Sequence, residues 1–332
     1  MESQLVVSSS PHVRHPDSVE RIMWTVVAAL LPAVAVSLYA FGPAALKVYV
    51  LSIVACEVAE LACLRIRGRP LSHAADGSAL ITGLLLAMVL PAGVGAYVPL
   101  VGGAFAIAIA KHTFGGLGNN VWNPALVGRI FLQFAYPTQI SLASWPVPRA
   151  LWGRAAADAV TAASPLAGET AGRAWSYLDL LAGNGVPGCI GETCKAALIV
   201  GGLFLIARRI IDWRIPVCYI GTVFALTWLL PAGQDAPAWA RDPLYHVLSG
   251  GLVLGAFFMA TDLVTTPVTP AGRAIFAVGC GLLVSLIRRY GGYPEGVAYS
   301  IVLMNTATPL IDRWVRPRVY GSRTPKASPR GT

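Results

Sequence analysis

The sequence predicts an all-α, polytopic membrane protein with about ten transmembrane helices in two inverted five-helix repeats. Three observations predict it. The 332-residue chain is 55% hydrophobic and only 12% charged, whereas a soluble domain is roughly a quarter charged. The apolar residues fall in blocks of membrane-spanning length. Two short motifs recur in order: Pro91-Ala92-Gly93 precedes Phe114-Gly115-Gly116, and Pro270-Ala271-Gly272 precedes Tyr290-Gly291-Gly292. An aspartate, Asp76 or Asp262, precedes each Pro-Ala-Gly. Five spans per half make the second half inverted relative to the first.

The first twenty residues are polar, and the apolar block after them is too long and too late to be a signal-peptide core. Residues 1–21 are therefore expected to form a cytoplasmic N-terminal segment. The first membrane repeat covers 22–137, with spans at 22–41, 44–64, 78–94, 96–112 and 121–137. A long extramembrane loop takes up 138–194. The second repeat covers 195–313, with spans at 195–211, 215–232, 244–262, 274–288 and 296–312. Residues 314–332 are rich in Pro, Gly and Ser and basic, the composition of a disordered tail. Pro32 lies inside the first span, and Gly and Pro fall at the ends of the third, eighth and ninth. Such breaks are tolerated where the freed backbone faces protein, ligand or a cavity.

The net charge of +9 does not mark a nucleic-acid binder, because the basic residues gather in short segments beside spans. These are Arg65, Arg67 and Arg69; Arg208, Arg209 and Arg214; and the tail from Arg313. Short basic loops mark the cytoplasmic side. That rule puts both termini in the cytoplasm and loops 138–194 and 233–243 outside. Arg288 and Arg289 fall on the outer face as an exception, where they would suit a bound phosphate or a partner. Cys56, Cys63, Cys218 and Cys280 lie in apolar blocks and read as packing residues. Cys189 and Cys194 flank a polar turn, and a disulfide between them is an open reading if that turn is extracytoplasmic. No cysteine spacing matches a zinc or iron–sulfur site built within this chain.

The long loop holds Asp158-Ala159-Val160-Thr161-Ala162-Ala163-Ser164-Pro165-Leu166, a polar island that offers a hydroxyl to a modifying enzyme. An ordinary Ser-Pro turn is the bland reading. The segment resembles the flavin-attachment motif Asp-x-x-(Ser/Thr)-Gly-Ala-(Thr/Ser). Other segments match the same family in order: Asp76-Gly77-Ser78 running to Ala87; Lys111-His112-Thr113-Phe114-Gly115-Gly116 running to Asn123-Pro124-Ala125; Ala260-Thr261-Asp262 running to Pro267; and Gly291-Gly292-Tyr293-Pro294-Glu295-Gly296. Together they resemble the RnfD family, the D subunits of Rnf electron-transport complexes. The related NqrB family, from the sodium-pumping NADH:quinone reductase, shares the pattern. The resemblance covers about residues 20–315.

The resemblance implies FMN joined through a phosphoester to Ser164 in a periplasmic loop, and a second, riboflavin-type flavin in the membrane part. It implies a bacterial inner-membrane complex that exchanges electrons between ferredoxin and NAD and moves sodium ions or protons. The partners would be the other Rnf subunits (A, B, C, E and G) and membrane lipid, with no nucleic acid. This sequence has Ser164 where threonine is commoner and Ala162 where glycine is usual. Thr161 is the fallback attachment point, and Asp158 would help recognition by the transferase or serve as a loop acid. The chain has neither a nicotinamide fingerprint nor a catalytic or metal site of its own, so it should be inactive alone.

Several further residues have paired readings. Arg288, Gly291 and Gly292 would border the tethered FMN, because glycine allows close backbone approach and arginine favours phosphate. Lys111, Gly115, Gly116 and Asn123 would border the second flavin. Each Gly-Gly segment also reads as a plain helix-connecting turn. Glu57, Glu60, Asp76 and Asp262 are ionisable groups at or near membrane depth. They would line an ion path, or pair structurally with Arg65, Lys111 or a neighbouring subunit. Lys47 reads as a snorkelling lysine. The rival function is a flavin-free solute channel or transporter, suggested by the inverted repeat and broken helices.

Overall fold

A computed structural model describes residues 17–140, 145–148, 161–162, 166, 175–230, 241–291 and 295–317. The first half comprises α1 (Val19–Phe41), α2 (Pro43–Ile66), α3 (Ser78–Met88), α4 (Tyr97–Phe105) and α5 (Pro124–Ala135). A two-residue antiparallel ladder pairs β1 (Trp145–Pro146) with β2 (Thr161–Ala162), the one departure from an all-α fold among the described residues. Then follow α6 (Tyr177–Ala182), α7 (Lys195–Ala207), α8 (Arg214–Leu229), α9 (Pro243–Leu248), α10 (Leu252–Leu254), α11 (Pro270–Tyr290) and α12 (Val297–Trp314).

The helix starts follow capping chemistry. Asn123, Asp242 and Thr269 each stand before a proline and accept from a backbone N–H of the first turn, at Ala125, Leu244 and Gly272. Proline at the first helical position has no N–H to leave unpaired. Ser18 caps α1 through the Arg21 N–H. Pro32 lies within α1 without ending it.

Two of the expected spans are corrected. The third, 78–94, stops being helical at Met88, because Pro91, Ala92 and Gly93 lie in a turn. The eighth, 244–262, is broken into α9, α10 and a π-helical stretch, Gly255–Met259. A second π-helical stretch, Ala106–His112, continues α4. The wider π turn rotates the side chains that follow, and such turns concentrate at functional sites.

By length and composition, α1 and α11 suffice to cross a membrane; α3, α5, α7, α8 and α4 with its π extension are apolar but shorter. Large apolar side chains such as Val58, Phe134, Val200 and Trp228 are exposed around the bundle, a surface suited to an apolar solvent or partner.

α2 packs on α3 and α4, α8 packs on α9 and α11, and the halves meet where α1 lies on α7 and α5 on α12. Close approach depends on glycine. A Cβ on Gly83 of α3 would lie 2.7 Å from the Ile53 Cα of α2, and Gly201 of α7 faces the Ala29 carbonyl of α1. One apolar core runs through both halves, from Leu86 and Leu126 to Phe276 and Ile301.

Lys47 is exposed, and its Nζ donates to the Val94 carbonyl at 2.9 Å. Cys189 and Cys194 are free thiols. Cys189 donates to the Val89 carbonyl, and the Cys194 sulfur accepts from the Ala197 N–H at the start of α7.

Candidate functional site

The π stretch 106–112 ends by delivering Lys111 and His112 to α2 and α3. Lys111 is 2% exposed, and its Nζ donates to Glu60 Oε2 and to Ser78 Oγ, both at 2.7 Å. Ser78 donates in turn to Asp76 Oδ1 at 2.6 Å, and the same oxygen accepts the Ser78 N–H. His112 Nε2 lies 3.1 Å from Glu60 Oε2 but off the hydrogen-bond direction, so that contact is electrostatic. Arg67 NH1 stands 3.3 Å from His112 Nδ1. Arginine is always a donor, which makes Nδ1 the acceptor in that contact. A buried cation of this kind persists because it is paired and hydrogen-bonded.

Lys111 and Ser78 also line a cleft of about 770 Å³, part of it open to solvent. Its other walls include Met23 of α1, Asn120 and Asn123 before α5, Phe257 of the second π stretch and Asp262. Asn123 joins the two halves here: its Oδ1 caps α5 and its Nδ2 donates to the Met259 carbonyl at 3.3 Å. Asn120 is buried, and its Oδ1 has no donor among the described residues. Asp262 accepts the Val264 N–H at 3.2 Å, the same two-residue turn that Asp76 makes with Ser78.

A second polar cluster lies at the other end of α3, α7 and α10. Arg129 of α5 donates to Glu295 Oε2 at 2.5 Å and to Cys189 Sγ at 3.3 Å. Lys195, at the start of α7, donates to the Glu192 carbonyl at 2.6 Å. Arg288 of α11 donates to the carbonyls of His246 and Ser249. Ser78 and Val89 bracket α3, eleven residues apart, so the two clusters stand about 16 Å apart along the helix.

The sequence-predicted residues divide as follows. Lys111 and Asn123 line the cleft together with Asp262. Gly115 and Gly116 are not among its lining residues; they turn with positive φ, Gly116 beside Arg67 and His112. Glu60 pairs with Lys111, whereas Glu57 is half-buried on the same helix. Gly291 closes α11 against the Ile287 carbonyl. Gly292, Asp158 and Ser164 lie outside the described residues, and Thr161 is described only through its backbone in β2. Leu166, two residues past Ser164, is buried. A Cβ on Gly250 would lie 3.1 Å from its Cδ1, 3.5 Å from Arg288 NH2 and 3.6 Å from Glu295 Oε1.

Sequence reasoning passed over Arg129, Glu192, Lys195 and the orphan acceptor of Asn120. The available signal was an arginine inside an apolar block, since charges at membrane depth are functional candidates by default.

Comparison with known proteins adds the lineage. The model of the NQR2, RnfD, RnfE family matches residues 6–321. The chain belongs to that family. A Clostridium ljungdahlii protein, named as the D subunit of a proton-translocating ferredoxin:NAD(+) oxidoreductase complex, is 46% identical over 330 residues, covering 96% of each chain. An Acetobacterium woodii protein, named as the D subunit of the Na(+)-translocating counterpart, is 46% identical over 325 residues, again covering 96% of each. A Stutzerimonas stutzeri protein, named as the D subunit of an ion-translocating oxidoreductase complex, is 42% identical over 92% of each chain. Family membership extends over both polar clusters and the loop between the halves.

Proposed function

We propose that this chain is the membrane-embedded D subunit of a complex that passes electrons between ferredoxin and NAD and couples their flow to sodium-ion or proton movement. The carrying observation is the end-to-end relationship: two relatives bearing that name match over 96% of both chains. Other subunits of the complex are its partners, and it acts as part of a translocase.

Its electron carriers in this reading are flavins, with FMN on Ser164 and a second flavin in the cleft. The cleft fits such a group chemically. Asn120 Oδ1 needs a donor, Lys111 supplies positive charge, and Phe257 offers an apolar wall. A bound flavin would supply the redox chemistry; the protein's share is position, charge and exclusion of water. Lys111, held by Glu60 and Ser78, would balance negative charge in the cleft. Arg288, Gly291 and Gly292 stay assigned to the tethered FMN, with Leu166 beside Arg288 in support. Glu60, Asp76 and Asp262 at the cleft end, with Glu57 alongside, are the proposed ion route.

The two-fold inverted architecture belongs to the same reading. The Lys111 end then faces the cytoplasm and the Arg129 end the periplasm. A membrane-impermeant thiol reagent applied to intact cells should label Tyr177→Cys and spare Arg67→Cys.

The flavin is tested in the purified complex. The tryptic peptide 155–173 should carry a flavin phosphoryl adduct that fragmentation places on Ser164. Denatured protein should keep a yellow, fluorescent peptide and release a second, free flavin. An unmodified peptide from colourless protein would favour the solute-permeation reading.

A further inference from the structure

Glu192 and Glu295 meet at the Arg129 end of the bundle. One carboxylate oxygen from each lies within 4.8 Å of the other and of Cys189 Sγ. Both glutamates are about nine-tenths buried. The backbone between α9 and α10 covers them: a Cβ on Gly250 would lie 3.6 Å from Glu295 Oε1, and one on Gly251 would lie 3.5 Å from Glu192 Oε1. The groups facing the pair are Arg129 from α5, Cys189 from the preceding turn, Lys195 from α7 and Arg288 from α11.

The donors do not satisfy the acceptors. Arg129 serves Glu295 Oε2 and Cys189. Lys195 serves the Glu192 carbonyl, and Arg288 serves two carbonyls. Among the described residues, no cation lies within 4 Å of the Glu192 carboxyl. Among the described residues, Glu295 Oε1 is buried with no donor, and the Ser249 hydroxyl, 0% exposed beside Gly250, has no partner. A buried acceptor without a donor calls for one. Two carboxyls facing each other in a dry site cannot both carry charge cheaply.

We propose that Glu192 and Glu295 form an acid pair that binds one proton between them. The proton satisfies Glu295 Oε1, and Arg129 balances the single remaining charge. The pair takes its proton from, and returns it to, water on the side of the 138–194 loop. It is a proton station about 16 Å along α3 from the Lys111–Glu60 cluster. Its part in ion translocation rests on the function proposed above; its proton occupancy does not, so the two fail separately.

The test is infrared spectroscopy of the assembled complex at neutral pH, wild type against Glu192→Gln and Glu295→Gln. Each variant should lose one carboxylic-acid carbonyl band, because the surviving carboxyl no longer has a like charge beside it and ionises against Arg129. Loss in only one variant would mean a lone protonated acid and would overturn the shared pair. No loss in either would mean two carboxylates and would also overturn it. If a glutamine variant does not assemble, Glu192→Asp keeps the acid and removes one methylene. The band should then shift in frequency, and an unmoved band counts against the pair. Electron transfer and flavin content are read on the same samples, so a missing flavin is recognised independently of the infrared result.

Discussion

Lys111 Nζ lies 2.7 Å from Glu60 Oε2, and both side chains are buried, 2% and 3% exposed. The pair joins the π stretch after α4 to α2 at the margin of the cleft. Breaking one partner of a buried pair leaves an uncompensated charge, at a cost of about 3–5 kcal/mol. Glu60→Gln and Lys111→Met should each lower the melting temperature in detergent markedly. The double variant should recover most of the loss, since both charges are then gone. A double variant as unstable as the sum of the singles would show that the two residues do not act as a pair.

Gly83 sets the spacing of α2 and α3. An added Cβ would meet the Ile53 backbone, which cannot rotate away as a side chain can. Gly83→Ala should therefore cost about 1–3 kcal/mol, the range for overpacking. Gly221, whose Cβ would meet nothing, is the control: Gly221→Ala should leave the melting temperature unchanged or raise it.

Asp212, between α7 and α8, clamps two arginines. Its Oδ2 stands 3.1 Å from both Arg214 NH1 and Arg273 NH1. Burial pushes its pKa up, but the Arg214 backbone N–H and the two guanidinium groups outweigh burial and hold it below the ordinary value. A carboxyl lowered on folding stabilises fully above its unfolded value of about 3.9. The contribution is lost as pH falls through the folded value. Melting curves from neutral to acid pH should show a decline that Asp212→Asn reduces. An identical acid slope in the variant would assign the decline to other carboxylates.

Much of the bundle was legible because its cues are local. Asn123-Pro124 and Thr269-Pro270 each carry a cap and a first helical residue in two letters, although the expected spans begin at 121 and 274 rather than at these pairs. Apolarity was a poorer guide: 78–94 and 244–262 are continuous hydrophobic blocks, yet the chain turns after Met88 and breaks at Ser249–Gly251. Burial requires apolar residues whatever the backbone does, so composition cannot separate helix from buried turn. Lys111 and Glu60 stood out as charges in apolar surroundings. Arg129 and Glu295 did not meet on paper because they are 166 residues apart and no periodicity links them. The same holds for Asn120, whose orphan oxygen exists only once α1, α5 and the second π stretch enclose the cleft.

Asn123 permits the sharpest separation of scaffold from site. Its Oδ1 accepts the Ala125 N–H at 3.1 Å, and its Nδ2 donates to Met259. Asn123→Ala removes both and should cost about 1–2 kcal/mol from the cap alone. The Met259 carbonyl is then left without this donor. Asn123→Ser keeps a capping oxygen and loses only the tie to the second half. The serine variant should thus recover most of the melting temperature while the cleft loses its cross-half anchor. If the cleft holds a flavin, its absorption and retention on gel filtration should change in both variants, by similar amounts, despite their different stabilities. Retention that instead follows stability would reduce Asn123 to a helix cap and place the binding determinants elsewhere on the cleft wall.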